Sequence, residues 1–111
     1  MERINEIVKK IEDLVNIPSP SGYTKDVIEY VEKEAKSYGY MTEYLHKGGL
    51  VITIQGESEE ILGLSAHVDT LGAMVRSITE DGMLHIIQVG SMTMESIEGA
   101  YCKIHTRDGR T

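Results

Sequence analysis

The sequence predicts an α/β fold, and three observations carry that prediction. Two amphipathic stretches with helical spacing open the chain, over residues 3–16 and 23–38. From residue 41 the apolar residues stop recurring every three to four positions and begin to alternate or run together, as in strands. Glycine-centred turns then separate these short runs at Gly48-Gly49, Asp81-Gly82 and Asp108-Gly109.

In the first stretch Ile4, Ile7, Val8, Ile11, Leu14 and Val15 form the apolar stripe, and Lys9, Lys10, Glu12 and Asp13 fill the opposite face. Pro18 ends this helix near Ile17, because proline disfavours helical geometry in the residue before it. Pro18-Ser19-Pro20-Ser21-Gly22 follows as a stiff connector. In the second helix Val27, Ile28, Val31, Ala35 and Tyr38 form the apolar stripe, with Ser21 or Thr24 as candidate caps and Gly39 as its stop. Its charged face, from Asp26 to Lys36, reads as a solvated surface.

Met41–His46 and Leu50–Ile54 read as two strands around the Gly48-Gly49 turn. Residues 56–60 are a polar loop. The apolar run from Ile61 to Ala66 is expected to be a buried strand that delivers His67 and Asp69 at its carboxyl end, where open α/β sheets bind ligands. Ala73–Thr79 and Met83–Val89 form a hairpin across Glu80-Asp81-Gly82. Residues 90–99 are irregular, and Ala100–Thr106 reads as a last strand. The hairpin character after Gly72 divides the chain into an α/β part, residues 1–70, and the start of a β-rich unit, residues 71–111. The Asp108-Gly109 turn calls for a return strand, so the chain is expected to be the N-terminal part of a longer protein.

Composition narrows the function. A net charge of -7 argues against a nucleic-acid partner and against docking on an anionic membrane, both of which rely on clustered Lys and Arg. No apolar run reaches the roughly 18 residues of a membrane helix. Cys102 is the single cysteine, which excludes an internal disulfide and fits a reducing, cytoplasmic setting. Its place in a strand-like run suggests a buried structural thiol.

The chemistry concentrates at His67-Val68-Asp69. Residues two apart on a strand share a face, so the imidazole and the carboxylate can meet. Spacing alone leaves three readings: a metal ligand with its orienting carboxylate, a structural hydrogen bond, or two unrelated surface residues. A catalytic metal needs about three protein ligands. None of His46, His85, His105 or Cys102 has ligand spacing with His67, and His85 and His105 read as strand residues. Most ligands of any such site are therefore expected outside these residues. No nucleophile elbow surrounds Ser65, and Gly48-Gly49 lacks the context of a phosphate loop.

The order of helix, Ile17-Pro18-Ser19-Pro20-Ser21-Gly22, helix, Gly49-Leu50 and Ala66-His67-Val68-Asp69-Thr70-Leu71-Gly72-Ala73-Met74-Val75 resembles the M42 family of metallo-aminopeptidases. Glu80-Asp81-Gly82 and Val89-Gly90 fall where that family has an Glu-Asp-Gly turn and a Val-Gly-Gly segment. The resemblance implies an α/β catalytic domain with two divalent metals, zinc or cobalt, and an inserted β-rich domain of PDZ-like or barrel form that mediates dimerisation. It further implies peptide substrates and assembly into homo-oligomers as large as dodecamers. By this resemblance His67 is a metal ligand, and Asp69 is the carboxylate that orients it and tunes the catalytic site. The family's remaining ligands and its general-base glutamate fall after the equivalent of residue 111, so the 111-residue chain alone is expected to be inactive.

The sequence departs from the family's Asp-Glu-Ile-Gly with Asp69-Thr70-Leu71-Gly72, and Val89-Gly90-Ser91 lacks the second glycine. His-Val-Asp-Thr also occurs in M20 peptidases, which makes an M20-type peptidase or deacylase one rival. A non-catalytic interaction module that pairs through an open β edge is the other.

Overall fold

Residues 2–111 are described by a computed structural model, in which two helices precede two separate antiparallel hairpins. Helix α1 spans Glu2–Asn16 and α2 spans Lys25–Ser37, close to the expected limits. The end of α2 shows why Gly39 is needed. The Gly39 N–H donates to Lys36 O and the Tyr40 N–H to Ala35 O, a Schellman closure that puts Gly39 at φ +79°. At the other end Thr24 makes no side-chain cap, and Ser21 is engaged elsewhere.

Strands β1 (Met41–Tyr44) and β2 (Leu50–Thr53) pair antiparallel, with Tyr44 opposite Leu50. Strands β3 (Gly72–Ile78) and β4 (Leu84–Val89) form the second hairpin, with a bulge between Val75 and Ser77. Helix α2 packs on β1 and β2. Glu32 joins the two layers: it accepts hydrogen bonds from the Thr42 hydroxyl at 3.1 Å, the Tyr44 hydroxyl at 3.0 Å and the Lys36 ammonium at 2.8 Å. The two helices are linked by the Lys10–Glu34 ion pair and by the Tyr30 hydroxyl on Asp13.

One turn design appears three times. In Leu45–Gly49, Thr79–Met83 and Thr106–Arg110 the first residue's N–H donates to the fifth residue's carbonyl, and the fourth residue's N–H donates back to the first carbonyl. The fourth residue is glycine each time, Gly48, Gly82 and Gly109, with φ of +83°, +86° and +81°. An L side chain is disfavoured there, which is why the Asp-Gly and Gly-Gly pairs were informative. The third turn has the hairpin's closing hydrogen bonds without flanking strands among the described residues.

Three expectations are corrected. Ile61–Ala66 lies in no sheet, and Ile61, Leu62 and Leu64 are almost fully exposed. Ala100–Thr106 is likewise outside any strand, and Cys102 is exposed rather than buried. The stripe of α1 is also largely open, with Ile4, Ile7, Val8, Ile11 and Val15 all exposed. The physical reason is common to all of them. An apolar run becomes a buried strand or helix face only when partners cover it, and the described residues supply none. Val27 and Ala35 are the buried apolar side chains among them. The radius of gyration, 17.9 Å, exceeds the roughly 13 Å of a compact domain of this length, so the elements do not gather around one core.

Candidate metal-ligand site

The site lies where the connector between the helices meets the segment before β3. Pro20 and Thr70 form an isolated parallel β-bridge, and the Thr70 N–H donates to Ser19 O at 2.8 Å. Ser19, fully buried, sends its hydroxyl to Val68 O at 3.0 Å, with Thr70 Oγ1 at 3.4 Å. A glycine at 72 permits this approach: a Cβ added there would sit 2.6 Å from the Pro20 Cβ. The stiffness that two prolines give Pro18–Gly22 is thus used to hold residues 68–70 in register.

Beside this clamp the His67 and Asp69 side chains meet, as the two-residue spacing predicts. His67 Nδ1 lies 2.9 Å from Asp69 Oδ1 and 3.2 Å from Asp69 O. The Ser21 hydroxyl donates to the second carboxylate oxygen, Oδ2. This bond from Ser21, followed by that from His67, holds the Asp69 carboxyl below the usual carboxylate value. An anionic Asp69 requires the proton on Nδ1 for the 2.9 Å contact to be a hydrogen bond, which leaves the Nε2 lone pair free. The imidazole is 85% exposed, so Nε2 faces solvent. A carboxylate behind Nδ1 and an open Nε2 are the donor chemistry of one metal ligand.

The other candidates do not join it. His46 is exposed beside its turn, and His85 lies in β4. His105 is not in a strand; its ring rests against Tyr23, with centroids 5.1 Å apart. Among the described residues no group of three or more His, Cys, Asp and Glu side chains could hold a metal ion. The residues therefore fit a single contribution to a metal centre, and not a complete one. Sequence reading missed Ser19 and Ser21 as partners of the triplet. Their only signal was the unusual Pro-Ser-Pro-Ser-Gly string itself, read as a connector.

Comparison with known proteins decides the family. The M42 glutamyl aminopeptidase family profile matches residues 48–111, which include both His67 and Asp69. The chain belongs to the M42 family. The M42 relationship extends beyond the matched region. The chain is 44% identical over 111 residues to the "Putative aminopeptidase YhfE" of Bacillus subtilis (strain 168), covering 99% of this chain and 32% of that protein. It is 28% identical over 107 residues to the glutamyl aminopeptidase of Lactococcus lactis subsp. cremoris (strain MG1363), covering 95% of this chain and 30% of the relative. The lysyl aminopeptidase of Pyrococcus furiosus is 24% identical over 108 residues, 94% of this chain and 29% of that protein. This M42 chain therefore spans about a third of the length of these relatives. No helix among the described residues is long and apolar enough to cross a membrane.

Proposed function

We propose that the protein is the N-terminal portion of a dinuclear metal-dependent aminopeptidase that removes N-terminal residues from peptides in the cytoplasm. The observation that carries this reading is the M42 match across His67 and Asp69, joined to an imidazole whose Nδ1 is committed to a carboxylate. His67 supplies Nε2 as one ligand. Asp69 fixes the ring and its tautomer, and Ser19 with Thr70 fixes the backbone that carries both. The chemistry that zinc or cobalt supplies in such a centre is activation of water and polarisation of the scissile carbonyl.

Residues 1–70 belong in this reading to the α/β catalytic domain. Residues 71–111 begin a β-rich, PDZ-like or barrel domain through which copies assemble as dimers and larger oligomers. The exposed stripe of α1 and the unpaired run Ile61–Ala66 support a longer chain that covers them. The test is hydrolysis of aminoacyl-nitroanilides with added zinc or cobalt. The 111-residue chain alone should be inactive. The same residues continued to the length of the relatives should be active, lose activity to a chelator, and lose it in His67→Ala. Activity of the short chain, or full activity of His67→Ala in the long one, refutes the assignment.

A further inference from the structure

Ser21 stands in the connector, outside the His67-Val68-Asp69 triplet and 48 residues from Asp69 in sequence. Its hydroxyl nevertheless donates to Asp69 Oδ2 while Oδ1 accepts from His67 Nδ1. Each carboxylate oxygen therefore has its own partner, and tilting the carboxylate about its last bond would weaken both contacts. Neighbouring backbone contacts aim the hydroxyl: the Tyr23 N–H closes onto Pro20 O at 2.7 Å, Gly22 turns at φ +90°, and Pro20 is bridged to Thr70. Ser19 and Ser21 thus divide the work. The buried Ser19 hydroxyl holds the backbone carbonyl of Val68, whereas the exposed Ser21 hydroxyl holds the Asp69 carboxylate.

We propose that Ser21 is a positioning residue, the outer member of a Ser21–Asp69–His67 relay that holds the imidazole with its proton on Nδ1 and presents Nε2 outward. This deepens the aminopeptidase reading and rests on it for the use made of Nε2. The relay itself needs no metal. A hydroxyl at 21 locks the carboxylate rotamer, the rotamer selects the tautomer, and the tautomer decides which nitrogen has a lone pair to donate.

The test reads the tautomer directly in the intact chain. Histidine is isotope-labelled, and long-range proton–nitrogen correlations are recorded at about pH 8.5, above the ordinary imidazole range. The His67 signals are identified by their loss in His67→Gln. The wild-type chain should show the Nδ1–H form as its dominant species. Ser21→Ala should move the population toward the Nε2–H form that an unpartnered histidine side chain favours, in the direction of Asp69→Ala. Ser21→Thr, which keeps the hydroxyl at an exposed position, should restore the wild-type ratio while the Thr70 amide stays protected in all variants. A wild-type ratio in Ser21→Ala overturns the proposal, as does an equal shift in Ser21→Thr. So does a wild-type chain already in the Nε2–H form. A dominant Nδ1–H form alongside a complete protein without aminopeptidase activity would reject the function and leave the relay standing.

Discussion

Replacing Gly72 by alanine tests whether the clamp on the triplet depends on close backbone approach. The added Cβ would lie 2.6 Å from the Pro20 Cβ and 3.3 Å from its Cγ. Those atoms belong to a rigid ring, so the contact cannot be relieved by a rotamer change, and the two segments must part. Parting them strains or breaks the Thr70–Ser19 hydrogen bond at 2.8 Å and the Ser19–Val68 hydrogen bond at 3.0 Å. Each is worth about 1 kcal/mol net, and overpacking in other proteins costs about 1–3 kcal/mol. A loss of about 2 kcal/mol in the local opening free energy follows, which is roughly a thirtyfold fall in protection of the Thr70 amide. Hydrogen exchange followed residue by residue measures it. Gly63→Ala is the control, because nothing lies within 4 Å of a Cβ added there. If Gly72→Ala leaves Thr70 as protected as Gly63→Ala does, Pro20 and Gly72 are not in contact and the clamp described above is wrong.

Three further outcomes follow from the same geometry. The Glu32 carboxyl is held below its ordinary value by hydrogen bonds from Lys36, then Tyr44 and Thr42. Its contribution is therefore present above the usual carboxylate range and disappears as the pH falls through the lowered value. The docking of α2 on β1 should loosen in acid, and Glu32→Gln should flatten that dependence in a Tyr44 chemical-shift titration. If the complete protein holds zinc through His67 as proposed, Asp69→Ala should weaken that binding about 10- to 100-fold in a chelator competition, since it removes the group that orients His67. Lys10→Ala should change stability by less than about 1 kcal/mol in urea unfolding, because both partners of the Lys10–Glu34 pair are more than a third exposed.

The elements legible in the sequence are those whose determinants are local. The extent of α1, the Gly39 stop and the glycine at the fourth position of each five-residue turn are each contained in a short window of chain. The structure reproduces them within two residues. Ile61–Ala66 and Ala100–Thr106 failed as strands because β structure is a property of a pair, and a run of apolar residues does not name its partner. The same holds for Cys102, whose expected burial presumed a sheet around it. At the site, His67 and Asp69 were legible because they are two residues apart. Ser19 and Ser21 were not, because their contact with residues 68–70 crosses about 50 positions and leaves no periodic trace.

That long-range contact also sets an order of assembly. The two helices and the five-residue turns need only neighbours along the chain, and such elements form in microseconds or less. The serine-to-carbonyl bond between Ser19 and Val68 must bring together groups 49 residues apart before it returns any energy. Folding should therefore complete α1, α2 and both hairpins first and close the loop between Ser19 and Val68 last, so that the imidazole gains its orientation in the final step of the pathway.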